Sequence, residues 1–153
     1  MKPAEKRGTR NGEFKKLIRF MAAASASGNR KTRLLVRPKG WFSNIGLDLE
    51  VDWEGKHRIR LSGPGFVGAY ISAGGTLSPF DRSDAVVEVL REVVADPERY
   101  ASSFGHFTGQ CTFCGRKLTD ARSYSVGYGR DCAERFGLRW GQIGQADLER
   151  NRM

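Results

Sequence analysis

The chain has 153 residues, 39% of them hydrophobic and 28% charged, with a formal net charge of +9. That is the length of one domain, or of one domain with a small appendix, and the apolar share suffices for a modest core. No apolar run approaches the roughly 20 residues that cross a bilayer, so no membrane partner is expected; glycine, at 19 positions against a usual share of about 7%, favours turns and short strands over a helical bundle.

Residues 1–11, MKPAEKRGTRN, have no apolar period and read as a disordered basic leader. The following stretch resembles a targeting signal only superficially, because Arg19 interrupts LIRFMAAASASG. Phe14, Leu17, Ile18 and Met21 instead fall at i, i+3, i+4 and i+7, the period of an amphipathic helix. Asn11 is its expected cap and Gly28 its stop, with Lys15, Lys16 and Arg19 on or beside the polar side. TRLLVR, residues 32–37, reads as a strand closed by Pro38 and Gly40.

In GLDLEVDW, Leu47, Leu49, Val51 and Trp53 alternate with Asp48, Glu50 and Asp52, as in a half-buried strand. HRIRL alternates again after Glu54, Gly55 and Lys56. With those three residues as the loop, Trp53 pairs with His57, Asp52 with Arg58 and Glu50 with Arg60. His57 then belongs on the inner face near Trp53, as a residue at the rim of the core. GFVGAYISAGGTLSPF suggests two more short strands turning at Gly74-Gly75. Ser83 is positioned to cap a helix carrying Val86, Val87, Leu90, Val93 and Val94 as one stripe. Asp96-Pro97 supplies the cap and first residue of another helix, with Tyr100 and Phe104 one turn apart and Gly105 as its end.

All three cysteines fall between Cys111 and Cys132. An odd, clustered set argues against a disulfide framework and for a reducing cytoplasm. CTFCGR has the shape of a zinc knuckle, in which Gly115 lets amide N–H groups face the sulfurs. A redox pair would instead run into a helix of a strand–helix unit, and the polar RKLTD follows here. Cys132 sits where GYGRDCAERFGL becomes helical, and a helix N-terminus favours its thiolate. A knuckle followed by a helix-borne ligand is a treble-clef-like layout for Zn2+. His106 leads as fourth ligand, completing a Cys3His site of structural type; Asp131, His57 and water are the alternatives.

The expected fold class is therefore α+β: an N-terminal amphipathic helix, a small antiparallel sheet with a covering helix, and a C-terminal treble-clef-like zinc knuckle. The corresponding divisions are a leader at 1–11, an α+β domain at 12–105, a zinc module at 106–141 and a tail at 142–153.

FGHFTGQCTFCGRKLTDARSYSVGYGRDCAERFGLRWG also resembles a short C-terminal module of bacteriophage and actinobacterial proteins. Its pattern is TGxCxxCGRxLTDxxS, then GYG or GIG, a proline and a third cysteine. The likeness runs from Thr108 to about Gly141, with Arg130 standing in the region where the pattern has proline. It implies a zinc module and a phage-like origin, with no settled activity attached.

Charge points to the partner. Residues 1–40 hold twelve Lys or Arg against Glu5 and Glu13, a net of +10, whereas residues 41–153 sum to −1. Such asymmetry suits a polyanion, most often nucleic acid. Lys15, Lys16, Arg19, Arg30, Lys31, Arg33, Arg37 and Lys39 are the expected phosphate contacts, and Trp41 and Phe42 offer stacking faces. The competing reading is a phage adapter engaging an acidic host protein. With two histidines and the cysteines committed to metal, no base–nucleophile pair assembles, and HFTGQC lacks the glutamate of a deaminase-type site. No catalytic residue is assigned and an enzyme is not expected.

Overall fold

The computed structural model describes residues 12–26, 31–63, 69–78 and 84–139. The leader at 1–11, Gly28, Arg30, Ser83 and the tail at 142–153 lie outside them. The elements are α1 (Lys15–Ala26), β1 (Arg33–Val36), β2 (Ile45–Val51), β3 (His57–Ser62), β4 (Tyr70–Ile71), α2 (Asp84–Ala95), α3 (Pro97–Thr108), α4 (Ala121–Val126) and α5 (Arg130–Phe136).

The four strands form an antiparallel sheet in the order β1-β2-β3-β4. Register sets Leu34 opposite Leu47, Leu47 opposite Leu61, Leu49 opposite Ile59 and Ile59 opposite Ile71. These residues share one face because side chains alternate along a strand, and helix α1 covers that face against β2 and β3. Phe14, Leu17, Ile18, Met21 and Ala24 supply the buried side of α1, while Lys15, Lys16 and Arg19 stay exposed.

The β2–β3 loop differs from expectation by one residue. It consists of Trp53, Glu54 and Gly55, closed by Asp52 N–H donating to Lys56 O at 2.7 Å. Val51 is therefore opposite His57, Glu50 opposite Arg58 and Asp48 opposite Arg60. The reason is local: a three-residue hairpin loop takes a left-handed residue at its third position, and Gly55 has φ 83°. The Asp52 carboxylate also accepts from the Glu54 and Lys56 amides at 2.9 and 2.8 Å. The register moves by two, so every residue keeps its face. Trp53 nonetheless becomes a loop tip, 89% exposed, and His57 is exposed rather than packed beside it.

The outer face carries a charge ladder. Arg33 donates to Asp48 at 2.7 Å, Arg58 to Glu50 at 2.7 Å, and Arg60 to Glu50 at 3.1 Å. Asp48 is buried, and Ser62 Oγ donates to it as well. Asp48→Ala should cost about 1–2 kcal/mol in a urea melt, below a fully buried pair because its two partners, Arg33 at 2.7 Å and Arg60 at 3.8 Å, are half exposed and solvent-screened. An unchanged midpoint would reduce the ladder to decoration.

The Gly74-Gly75 turn forms as expected, with Ser72 N–H donating to Thr76 O at 2.9 Å, though beyond β4 the return is a single bridge from Ile71 to Leu77. It also anchors the start of α1: Phe14 N–H donates to Gly75 O at 2.8 Å and Gly12 N–H to Thr76 Oγ1 at 2.9 Å.

Helix α2 buries Val86, Val87, Val89, Leu90 and Val93. Asp96 caps α3 by accepting from Arg99 N–H at 3.1 Å, with Pro97 in the first turn. Gly105 does not end that helix. It is buried inside α3, which runs on to Thr108 and stops at Gly109, φ 76°. Gly105 is the crossing point of α3 with the chain at Gly127, where a Cβ on either residue would collide with backbone of the other segment. One core cluster runs from Phe14 and Leu47 through to Phe113, Cys132 and Phe136, so the cysteine segment is built into the same core as the sheet.

Candidate metal centre

The cysteine segment is made of short elements, each closed by a local signal. After Gly109, Gln110 bridges Lys117, Cys111 N–H donates to Arg116 O at 2.9 Å, and Gly115 N–H donates to Cys111 O at 2.8 Å. Gly115 supplies the positive φ, 76°, that this tight turn requires. The turn brings amides onto sulfur: Cys111 accepts from the Gly129 and Cys114 N–H groups, and Cys114 from Arg116 N–H. Asp120 then caps α4 through Ser123 N–H at 2.8 Å, and Gly127 ends it in the left-handed region. Gly129 leads into α5, whose first turn carries Cys132.

The three sulfurs converge. Sγ of Cys111, Cys114 and Cys132 all lie within 4.8 Å of one another. Thiolates about 2.3 Å from one tetrahedral ion would be roughly 3.8 Å apart, so small side-chain adjustments complete the fit. Cys111 and Cys132 are buried and Cys114 is exposed. The thiols of Cys114 and Cys132 both donate to Cys111, which holds its pKa down. Serving as donor to that anion, together with burial, pushes Cys132 up. Cys114, the other donor to that anion, is pushed up as well, so the cluster by itself favours one thiolate, and a bound cation would have to draw off the other two protons.

Packing fixes the knuckle from behind. The Phe113 ring stacks on Phe136 at 4.0 Å and 20°, with Phe20 of α1 5.2 Å from Phe136 and Tyr128 edge-on to Phe113 at 6.1 Å. Thr112, fully buried, donates Oγ1–H to Leu35 O at 2.6 Å, and Leu35 N–H donates back to Thr112 O. The Tyr128 hydroxyl donates to Arg139 O at 2.6 Å, and burial raises its pKa to about 12.

His106 does not join the sulfurs. It is exposed near the end of α3, and its Nε2 lies 2.8 Å from Ser125 O. The helix that Gly105 was expected to end continues through His106, which fixes the ring beside α4. His57 is at the start of β3, and Asp131 lines a cavity beside the cysteines, yet the converging ligand atoms among the described residues are the three sulfurs alone.

Residues 101–137 match a family of unknown function, DUF6011. The matched segment is about a quarter of the chain. It takes in the second half of α3, the knuckle, α4 and α5, which is the whole unit that brings the sulfurs together. No curated protein and no solved structure matches the chain.

The basic residues are distributed more widely than the sequence suggested. Arg33 is committed to Asp48. Lys15, Lys16 and Arg19 project from α1, and Lys31 is exposed. Arg37, Lys39 and Trp41 converge on a groove of about 490 Å3 together with Phe42, Tyr100 and Phe107. Arg37 lies 5.9 Å over the Phe107 ring, donates Nε–H to Asn44 Oδ1 at 2.8 Å, and gives its backbone N–H to the Tyr100 hydroxyl at 3.0 Å. Phe42 is 98% exposed and Phe107 77%. Phe107 was missed from the sequence. It lies three residues after Phe104 and seven after Tyr100, a stripe visible only once Gly105 is placed inside the helix.

Proposed function

We propose that the chain is a small zinc-stabilised accessory protein that binds single-stranded nucleic acid, with no catalytic role. The observation that carries this reading is the groove between the Arg37–Phe42 segment and α3. Two exposed aromatic faces and two cationic side chains share one concavity, the pairing that lets bases stack while phosphates are neutralised. Lys15, Lys16, Arg19 and Lys31 add a longer-range field that draws in a polyanion. Three converging thiolates favour a soft, tetrahedral cation, for which zinc is the natural choice. Reduced thiols and the phage-like motif suit the cytoplasm of a bacterial host.

Fluorescence anisotropy with labelled oligo-dT, oligo-U and a duplex of equal length tests this. Single strands should bind more tightly than duplex. Phe42→Ala and Phe107→Ala should each weaken single-strand binding by about 1–3 kcal/mol, the worth of one stacked base. Reversing Lys15, Lys16 and Arg19 to Glu should instead flatten the salt dependence, since each phosphate neutralised contributes roughly 0.7–0.9 to the slope of log K against log salt.

A protein-binding adapter is the second reading, favoured by a different feature: Val51 and Trp53, 60% and 89% exposed at the β2–β3 tip. Absence of binding to every oligonucleotide at low salt, with a partner captured by the intact protein and lost on Trp53→Ala, would replace the first reading with this one.

A further inference from the structure

We propose that the knuckle turn is a site of oxidation by small hydroperoxides: exposed Cys114 reacts first, closes a disulfide with Cys111, and leaves Cys132 reduced. This rests on the metal part of the reading above, whatever else the ion binds, and is independent of nucleic-acid binding.

Access ranks the three sulfurs. Cysteines that ligate an ion are all deprotonated, so protonation does not separate them and exposure does. Cys111 is 1% exposed and Cys132 7%, whereas Cys114 is open to solvent. All three line one cavity of about 400 Å3, a space that admits small molecules. Arg116, Lys117 and Arg130 share that cavity with Asp120 and Asp131. With an ion and its three thiolates counted, the lining has no net charge to attract an anion. An uncharged oxidant suits it.

The short turn selects the partner. Cys111 and Cys114 lie on one turn, closed by Gly115 N–H donating to Cys111 O at 2.8 Å and flanked by the Gln110–Lys117 bridge. Cys132 belongs to α5, a separate element of seven residues. The sulfurs already lie within 4.8 Å of one another, and a disulfide needs about 2.05 Å. Cys111 and Cys114 stay neighbours however α5 moves, so theirs is the pairing with the shortest loop to close.

The chemistry balances on the sulfurs alone. The Cys114 thiolate attacks the peroxide, the O–O bond breaks, hydroxide leaves and a sulfenic acid forms. The Cys111 thiolate attacks that sulfur, the S–S bond forms and a second hydroxide leaves. Each sulfur gives up one electron and the peroxide takes both. An ion held by the cluster thereby loses two thiolates, and a dithiol restores them, as with the transient disulfides of reducing compartments.

The full zinc-loaded chain tests this. Hydrogen peroxide is added in steps, released zinc is read with a chromophoric chelator, remaining thiols are alkylated in urea, and tryptic peptides are weighed. Residues 100–116 carry Cys111 and Cys114, and residues 131–135 carry Cys132. About one zinc should leave per peroxide consumed, with the first peptide unalkylated and about 2 Da lighter and the second alkylated. Dithiothreitol followed by zinc should restore the starting state. tert-Butyl hydroperoxide should act alike: its rate relative to free cysteine should match that of hydrogen peroxide within about twofold, since an exposed sulfur starts the reaction. A bulky oxidant slowed about tenfold or more would place the start at a buried sulfur and overturn the proposal. So would Cys132 within the disulfide, a sulfinic acid on Cys114 with no disulfide, or zinc and thiols unmoved by peroxide. Each of these results, in zinc-loaded protein, leaves the metal reading standing. Protein that takes up no zinc would overturn that reading and the proposal together.

Discussion

Chelating the metal, or replacing Cys132 by serine, should lower the melting temperature of the whole chain rather than release a separate small transition. Helices α4 and α5 span six and seven residues, too short to persist without tertiary support. An ion tying Cys111 and Cys114 to Cys132 would supply that support, on the order of 10 kcal/mol of apparent folding energy in small zinc modules. Its loss should not stay local, since Phe113 of the knuckle and Phe136 of α5 pack with Phe20 of α1. Purified protein should carry about one zinc per chain, and Cys111→Ser, Cys114→Ser and Cys132→Ser should each lose it. Acid should do the same, because protons compete with the cation for the thiolates. Added zinc should raise the melting temperature of wild type in a concentration-dependent way, as binding to the folded state alone demands. Full metal retention in all three variants, or a melt indifferent to chelator, would refute the centre.

Gly105→Ala should destabilise the chain by about 3 kcal/mol, although alanine is the better helix former by roughly 1 kcal/mol. The new methyl would be driven into the carbonyl and Cα of Gly127, while a Cβ on Gly127 would meet Ser102 of α3. Backbone stands on both sides of this contact, so no rotamer change relieves it. Gly109→Ala is the matched control, with nothing within 4 Å of its Cβ and only φ 76° to oppose it, worth about 1 kcal/mol. A urea midpoint that falls about three times as far for the first as for the second, with the same denaturant slope, would establish the close crossing. Equal effects would mean that only backbone conformation is at stake.

Periodic features were legible from sequence because they are local. The 3.6-residue stripe from Phe14 to Met21, the alternation through Leu47 and Leu49, and the Asp96-Pro97 start of α3 each depend on a few neighbouring residues. Two misplacements came from glycine. Gly55 took the left-handed position of the hairpin loop and set the register, whereas Gly105 was read as a stop when its lack of a side chain serves a crossing with a segment twenty-two residues away. The cysteine cluster was readable from spacing, but the orientation of His106 was not, because it depends on where α4 lies against α3. The groove was readable only in half: Arg37, Lys39, Trp41 and Phe42 are contiguous, while Tyr100 and Phe107 arrive from α3 across sixty residues of chain.

Thr112 has a consequence beyond its two hydrogen bonds to Leu35. Strand β1 pairs with β2 on one side only, and the knuckle occupies the other through the reciprocal Leu35–Thr112 contacts. An uncovered edge strand is a template for pairing with another chain. An ion held by the three cysteines would fix the Thr112 segment and so help keep this sheet from extending into its neighbours; chelation should then raise aggregation as well as unfold the cysteine segment.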